Sequence, residues 1–198
     1  IAELNTKMSG YQQQIIALKQ ENVQLTEEKK TLTEEKEILN QEKASLTEEK
    51  KGLEKTVELG SVLHASGIRL EAINNTKNLL GQEKEKETAK AKKADLIRIS
   101  FDLDDNRISE SGEKMLYICV YDPSGNVIPA TANGARFRLS DDREKNFTAS
   151  KTVPYKQGEK VRGVSVDWRP MNNFNKGTYQ VEIYHMGYKI GGERVTLR

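Results

Sequence analysis

The segment that begins at Asp102 carries the residue types and the spacing of a calcium-binding loop. Counted from Asp102 as position 1, side chains with oxygen atoms stand at positions 1, 3, 5, 9 and 12, namely Asp102, Asp104, Asn106, Glu110 and Glu113. Oxygen ligands at these positions surround the ion in EF-hand loops. Arg107 stands at position 6, where the sharp turn requires glycine, and the residues before Asp102 alternate as a strand. We therefore take a polar turn as the default interpretation and a calcium site at Asp102, Asp104 and Asn106 as the alternative.

Other side chains that could do chemistry are sparse. The chain has two histidines, His64 and His185, and one cysteine, Cys119. One cysteine cannot form an internal disulfide or a cysteine-cluster zinc site, and no Ser/His/Asp constellation can be assembled from the sequence. The glycines of residues 187–192 lie in a predicted hairpin rather than before a helix, which argues against a phosphate-binding loop. We therefore predict a protein that is not an enzyme and that uses no cofactor, calcium being the single exception considered.

The composition of the 198 residues excludes several classes of protein. Hydrophobic residues make up 35 % and charged residues 31 %, so the chain is less apolar than a compact domain usually is. Tyr11 is the only aromatic residue before residue 100, which puts the expected core in the second half. The net charge of +2 gives no strong attraction to nucleic acid. No run approaches the ~20 apolar residues of a membrane span.

Residues 1–60 carry a heptad repeat that predicts a coiled coil. Leucine recurs at every seventh residue, here called position d, and position a lies three residues before each leucine. A sustained apolar period of this length specifies a left-handed coiled coil, roughly 85–90 Å long at ~1.5 Å per residue. The residues that we assign to oligomerisation are Ile15, Leu18, Asn22, Leu25, Leu32, Leu39, Leu46 and Leu53.

The polar residues of the repeat indicate the partner. Asn22 at position a can pair with its own copy across a parallel two-stranded seam and so fix the register. Lysine follows at position a four times, and each of these lysines is preceded by glutamate at position g: Lys29, Lys36, Lys43 and Lys50. In a dimer the lysine stems can lie along the seam with the ammonium groups in water. The pattern favours a parallel homodimer over a trimer, and a single solvated helix is the alternative.

Residues 61–94 are predicted to be a transition between two domains. The heptad repeat ends at Gly60, and the alternation of Ile68, Leu70 and Ala72 predicts a short strand that ends in a turn at residues 74–76. Residues 81–95 are highly charged and lack an apolar period. We expect them to form an exposed loop.

Residues 95–198 are predicted to form a β-sandwich of about seven strands. Apolar residues alternate with polar ones, or run continuously as in a central strand, in residues 97–103, 115–121, 135–139, 164–168, 179–183 and 188–197. Turn residues separate these segments, most clearly at 122–125 (DPSG). Cys119 falls in the continuous apolar segment, where a buried small side chain is the expected role.

The end of the chain resembles the closing hairpin of immunoglobulin-like domains. The resemblance covers residues 177–184 (GTYQVEIY), the glycine turn after them and the last strand. The cysteine pair of that family is absent, and Trp168 does not match the position of its core tryptophan. The resemblance implies the fold class that we predict for the whole chain, a long α-helical coiled coil followed by an all-β immunoglobulin-like sandwich.

The whole arrangement also resembles bacterial envelope proteins in which a membrane anchor precedes a coiled coil and a small β-domain. The matching residues are 84–101 (KEKETAKAKKADLIRISF) and 106–120. The resemblance implies a periplasmic or cell-surface location and no activity. Because Ile1 already occupies position a, we expect the natural chain to extend upstream, where an anchor would lie.

The predicted function is structural, a coiled-coil stalk that presents a β-sandwich to an unidentified protein partner. The alternative is a ligand- or glycan-binding adhesin or fibre module, assisted by calcium. Its recognition surface would draw on aromatic residues that are otherwise expected in the core, namely Tyr155, Trp168, Phe174, Tyr184 and Tyr188.

Overall fold

The computed structural model describes residues 2–77, 83–131, 134–170 and 173–198. These residues form two compact units, which meet between Thr56 and Val57. The first unit is helical. The second unit contains the end of the same helix and all of the strands.

The helix α1 runs from Ala2 to Gly60. Its sequence is rich in Leu, Glu, Lys and Gln, which lose little side-chain freedom in a helix, and it contains no proline. The hydroxyl groups of Thr26, Thr33 and Thr47 each donate to the carbonyl four residues earlier, so these threonines also find partners within the helix. After Gly60 the helix ends in a turn, where the Ser61 hydroxyl donates to the Glu58 carbonyl at 2.7 Å.

The predicted coiled coil is wrong as a description of this chain. The described residues contain one α-helix, and a coiled coil requires at least two. The heptad spacing dictates which side chains share a face of the helix, and that face is present. The described residues supply no second α-helix to cover it, and the large apolar side chains of α1 are between 49 % and 69 % exposed.

Ten strands follow the helix in the part of the chain that the structure describes. They are β1 (Ala65–Lys77), β2 (Glu83–Glu87), β3 (Leu96–Leu103), β4 (Gly112–Tyr121), β5 (Ala135–Arg138), β6 (Glu144–Phe147), β7 (Ala149–Tyr155), β8 (Val161–Trp168), β9 (Gly177–His185) and β10 (Tyr188–Leu197). A short 3-10 helix over Ala91–Lys93 lies between β2 and β3. The strands form three antiparallel sheets, with the orders β2-β1-β3-β8, β10-β9-β4-β7 and β5-β6.

The main core lies between the two four-stranded sheets. One apolar cluster combines the buried residues of β3, among them Ile97, Ile99 and Phe101, with those of β4 and β9, among them Ile118 and Ile183. Alternation explains the layering, because successive side chains of a strand point to opposite faces. The segments predicted as strands at residues 97–103, 115–121, 135–139, 164–168, 179–183 and 188–197 are confirmed as β3, β4, β5, β8, β9 and β10.

A second, smaller cluster lies on the other face of β4. Tyr117 and Cys119 point away from the main core, and the β5-β6 hairpin covers them. The rings of Tyr117 and Phe137 stack with centroids 4.6 Å apart. The expectation that Cys119 is buried is confirmed.

The predicted immunoglobulin-like sandwich over residues 95–198 is also wrong. The first sheet takes two of its four strands from residues before 95, and a third sheet is present. Residues 74–76, predicted as a turn, belong to β1, and residues 83–87 of the predicted loop form β2. Backbone pairing with β1 makes EKEKE an edge strand, although its side chains carry no apolar period. Such non-local pairing is invisible to a pattern search within one segment.

Candidate functional site

The most extensive candidate site is the apolar stripe of α1, defined here as the large side chains at positions a and d. Helix geometry brings residues three and four apart onto one face, so the residues predicted for oligomerisation share that face. From Leu4 to Val57 the apolar members are between 52 % and 69 % exposed. A soluble chain rarely leaves so long a continuous apolar surface uncovered.

Charged side chains border this stripe. Lysines occupy position a in the second half of the stripe, and a glutamate precedes each of them at position g, as in Glu28-Lys29 and Glu35-Lys36. Near the end of the helix, Lys50 lies 3.7 Å from Glu54 and Lys51 lies 3.3 Å from Glu48. The stripe is therefore apolar in its first half and mixed apolar and basic in its second half, with acidic residues along one border.

The three residues predicted to bind calcium have other partners. Asp102 accepts a hydrogen bond from the backbone of Gly163 at 2.9 Å. Asn106 holds the chain after α1, since its Nδ2 donates to the carbonyls of Gly60 at 2.8 Å and Val62 at 3.1 Å. Asp102 lies near the end of β3, and Asn106 lies in the loop that follows this strand. Hydrogen bonds from the polar turn therefore link the end of β3 to β8 and to the segment that follows α1.

Asp104 is the centre of a polar cluster with Ser66, His64 and Lys160. Its carboxylate accepts from the Ser66 hydroxyl at 2.6 Å and contacts His64 Nδ1 at 2.7 Å and Lys160 Nζ at 3.0 Å. These hydrogen bonds, that of Ser66 first, hold the pKa of Asp104 well below its usual range. Lys160 Nζ also lies 3.4 Å from Asp102 Oδ2. The lysine ammonium thus stands between the two carboxylates, where a bound cation would have to be.

The same cluster lacks the arrangement of a nucleophilic site. Lys160 Nζ lies 3.1 Å from Ser66 Oγ, a contact that could activate the serine if the amine were neutral. The pKa of Lys160 is raised, chiefly by its bond to Asp104, so the amine keeps its proton. Ser66 and His64 both bond to Asp104 and not to each other. Among the residues that the structure describes, no group of three or more His, Cys, Asp or Glu side chains is placed to hold a metal ion.

Sequence reasoning missed a buried charged cluster around Glu182. The residue is 9 % exposed, and its carboxylate accepts from Tyr121 at 2.5 Å, Tyr184 at 2.7 Å, Lys145 at 2.9 Å and Lys189 at 2.7 Å. Burial by itself would raise the pKa of Glu182, but these hydrogen bonds, that of Lys189 first, lower it to about 2. The carboxylate is therefore ionised and saturated with donors.

One of the two lysines of this cluster, Lys145, lies between two aromatic rings. Lys145 Nζ lies 4.6 Å from the centroid of the Tyr184 ring and 5.4 Å from that of Tyr121. Burial raises the pKa of the Tyr184 hydroxyl, and its bond to Glu182 raises it further. Alternation along β9 places Glu182 on the face opposite to Val181 and Ile183, which predicts that its side chain is exposed to solvent. The available signal was the pair of tyrosines at residues 121 and 184, both on that same face, because aromatic residues seldom line an uncovered sheet.

The aromatic residues considered as a recognition surface are in the interior. Tyr155, Trp168, Phe174 and Tyr184 are buried, and Tyr188 is half-buried. Trp168 packs edge-on against Phe174, with ring centroids 5.6 Å apart. These rings therefore serve as packing and offer no open platform for a sugar ring.

A cleft of about 580 Å³ lies beside this aromatic group. Its walls include Ala149 at the start of β7, Trp168 at the end of β8 and Arg169 just beyond it. Ile128 and Asn175 also line the cleft. The cleft is both apolar and polar, and its size is within the range of small binding pockets.

His185 belongs to the interior of the β-domain. It is buried at the end of β9, and its Nδ1 accepts the backbone N–H of Leu63 at 3.2 Å. Burial, with a smaller contribution from Lys114, lowers the pKa of His185 to about 4. The neutral imidazole thus has a structural partner in the backbone of Leu63.

Within the described ranges, no helix combines the length and the apolar character needed to cross a membrane.

The geometry defines a class of protein in which one long helix with an uncovered apolar stripe precedes a β-domain of two packed sheets and a covering hairpin. The chain belongs to the family described as domain of unknown function DUF8428, which matches residues 66–198. The matched region begins within β1 and so corresponds to the β-domain. A search of curated proteins found no match to the chain.

Two solved structures show a weak likeness to the chain. A β-glucosidase from Kluyveromyces marxianus in complex with glucose has a TM-score of 0.34 and 14 % identity, covering 66 % of this chain and 14 % of its own. The β-glucosidase 3B from Thermotoga neapolitana in complex with glucose has a TM-score of 0.30 and 11 % identity, covering 65 % of this chain and 16 % of its own. The chain thus spans about one sixth or less of the length of these enzymes.

Proposed function

We propose that the chain is a non-enzymatic interaction protein whose copies pair in parallel along α1 and so bring two β-domains to one protein partner. The observation that carries the proposal is the apolar stripe of α1, uncovered from Leu4 to Val57. Burying one leucine side chain contributes about 1.5–3 kcal/mol. A stripe with leucine at seven of its eight d positions therefore favours association strongly over exposure to water.

A second copy of the chain is the occupant that fits this stripe. The stripe is complementary to itself, because the leucines recur at equal intervals along the whole repeat. In a parallel pair, the glutamate at position g of one helix lies near the lysine at position a of the other, as for Glu35 and Lys36. Opposite charges then face each other at each of the four lysine positions. An antiparallel pair loses this match.

Asn22 supports the parallel arrangement in register. An asparagine at position a is satisfied when it meets its own copy, which requires both helices to run in the same direction and at the same height. A shift of the register by one heptad places the amide opposite Ile15 or Lys29 of the other helix, so the two asparagines no longer satisfy each other. The pairing also doubles the number of β-domains per molecule, which raises avidity for a partner with repeated sites.

The proposal is tested by measuring the mass of the chain in solution by light scattering. We expect twice the chain mass of 22.4 kDa. Replacing Leu18 and Leu25 together by glutamate should give a monomer, because four charges would enter the seam. The matched control is Ile38→Glu, since Ile38 is 56 % exposed and lies outside positions a and d. This control should remain a dimer.

Two outcomes would contradict the proposal. A monomer at tens of micromolar would mean that the stripe has another occupant. A trimer would remove the argument from Asn22 and support the fibre alternative. A cross-linking experiment adds the direction of the helices: a cysteine placed at Leu4 should form a disulfide with its own copy in a parallel pair and not in an antiparallel one.

The periplasm or cell surface of a bacterium is the location that we propose. The resemblance of residues 84–101 and 106–120 to envelope proteins supports this location, and the contacts of the described residues do not bear on it. Fractionation of cells that express the natural protein tests it. Recovery in the cytosolic fraction would contradict this location and leave the dimer proposal in place.

A further inference from the structure

The strand β8 has a free edge. It is the last strand of the sheet β2-β1-β3-β8, and it pairs with β3 alone. From Val164 to Trp168 its register with β3 is regular, and no described residue pairs with its other side. Every second residue of such an edge presents an unpaired N–H and C=O to the surroundings. This edge can therefore accept another strand.

The other three outer strands of the two four-stranded sheets are protected against such pairing. The strand β2 is five residues long and alternates lysine and glutamate. The strand β7 contains Pro154, which lacks an N–H. The strand β1 packs beside β10, so closely that a Cβ added to Gly191 would lie 2.5 Å from Ile68 Cδ1. Residues 164–168 of β8 carry none of these protections.

The charged residue of segment 164–168, Asp167, is paired within its own sheet. Asp167 Oδ1 accepts from Arg98 Nε at 2.7 Å, and Arg98 also donates to Glu85 on β2 at 2.6 Å. Arg98, Glu85 and Asp167 thus form a bridge across the outer face of the sheet. The ion pair with Arg98 reduces the repulsion between Asp167 and an approaching acidic strand.

The cleft beside Trp168 extends this edge. The strands β7 and β8 are joined by residues 156–160, and their far ends, Ala149 and Trp168, stand on either side of the cleft. A segment that pairs with β8 and continues past Trp168 would therefore enter it. The cleft volume of about 580 Å³ is large enough for a side chain.

The arginines at the two ends of the edge indicate the charge of the occupant. Arg162 and Arg169 are both exposed, and in the described part of the chain neither forms a salt bridge. They are seven residues apart, a distance of about 23 Å along a strand. An acidic segment of about seven residues would pair with both.

We infer that the free edge of β8 binds an extended, acidic segment of a partner protein by strand addition, with one of its side chains in the cleft. Main-chain hydrogen bonds supply the affinity in this mode of recognition, and side-chain pockets supply the specificity. The inference rests on the proposed function only in taking the β-domain as the part that binds a protein.

The test measures amide hydrogen exchange of the full chain with and without a capped peptide of seven residues that alternates glutamate and valine. We expect the peptide to slow the exchange of residues 164–168. A peptide with lysine in place of glutamate should give no protection, because its charges would face Arg162 and Arg169. The acidic peptide N-methylated at alternate amides should also give none, because it cannot complete the ladder.

Two charge-reversal variants sharpen the test. Replacing Arg162 and Arg169 together by glutamate should weaken peptide binding about tenfold or more. The matched control replaces Lys84 and Lys86 on β2 by glutamate and should bind within about twofold of the original chain. All four side chains are exposed, so folding is expected to survive. If the first variant does not fold, the N-methylated peptide still decides the question on the unchanged chain.

Three results would overturn the inference. Residues 164–168 could exchange as slowly as β3 in the free chain, which would mean that the edge is covered. The acidic peptide could fail to protect them at millimolar concentration, or it could protect β2 or β7 instead. Light scattering reports the pairing of α1 and exchange reports the edge of β8, so either proposal can fail while the other stands.

Discussion

His185 and Leu63 join the last long hairpin of the β-domain to the segment that leaves the helix. His185 Nδ1 accepts the backbone N–H of Leu63 at 3.2 Å, and both residues are buried. A protonated imidazole carries hydrogen on both nitrogens and cannot accept this bond. The contact therefore requires the neutral form of His185.

Acid should weaken the fold through this residue. The pKa of His185 falls from 6.5 to about 4 on folding, chiefly because of burial. Between pH 6.5 and pH 4, His185 is protonated in the unfolded chain but neutral in the folded chain. The contribution of His185 to stability is therefore present above pH 6.5 and is lost as the pH falls to 4. The full loss amounts to about 3 kcal/mol.

Urea unfolding at pH 7.0 and at pH 5.0 measures this effect. The variant His185→Asn keeps an acceptor near the position of Nδ1 and cannot be protonated, so its stability should change less between the two pH values. An equal change in both proteins would show that other groups carry the pH dependence. Glu182 is not among them, because its pKa of about 2 confines its effect to more acidic solution.

Removing the charge of Glu182 should destabilise the β-domain. Glu182→Gln leaves Lys145 with its ammonium among aromatic rings and without its carboxylate partner. Breaking a buried ion pair on one side costs about 3 kcal/mol. The control is Glu144→Gln, because its ion pair with Arg136 at 3.2 Å is exposed and contributes less than about 1 kcal/mol. Equal losses in denaturant unfolding would mean that the cluster around Glu182 contributes no more than a surface pair.

Gly187 should tolerate no side chain. Its φ is +78°, and an added Cβ would lie 2.6 Å from the backbone nitrogen of Ser140 and 2.7 Å from the carbonyl carbon of Leu139. Gly187→Ala should therefore lower the free energy of unfolding by more than about 2 kcal/mol. The neighbouring backbone would have to move, and alanine would also be strained at this positive φ. Gly158 has a similar φ of +73° with nothing within 4 Å. Gly158→Ala should cost only about 1 kcal/mol, and the difference in melting temperature between the two variants isolates the close approach.

Calcium should leave the melting temperature unchanged. The ammonium of Lys160 lies 3.0 Å from Asp104 and 3.4 Å from Asp102, so a cation would have to displace it. Differential scanning fluorimetry with millimolar calcium and with chelator provides the measurement. A rise in melting temperature that disappears in Asp104→Asn would restore the calcium interpretation.

Much of the fold could be predicted from the sequence where the signal is local. The face shared by Leu18, Leu25 and Leu32 follows from helical spacing alone, and the strands that contain Ile99 and Ile118 follow from alternation within a few residues. The strand β2 could not be predicted in this way. Its residues form a strand because β1 offers them hydrogen bonds, and that pairing depends on residues about ten positions away.

The candidate sites divide in the same manner. The stripe of α1 follows from the sequence alone, because a seven-residue spacing on a helix needs no other part of the chain to define a face. The tertiary structure is needed to make Glu182 a buried ion, since Lys145 lies 37 residues away and reaches it through the β5-β6 hairpin. The tertiary structure also determines that Asp104 faces Lys160, 56 residues away, and that β8 is left with a free edge. Burial and strand order depend on contacts between distant segments, and a pattern within one segment does not contain them.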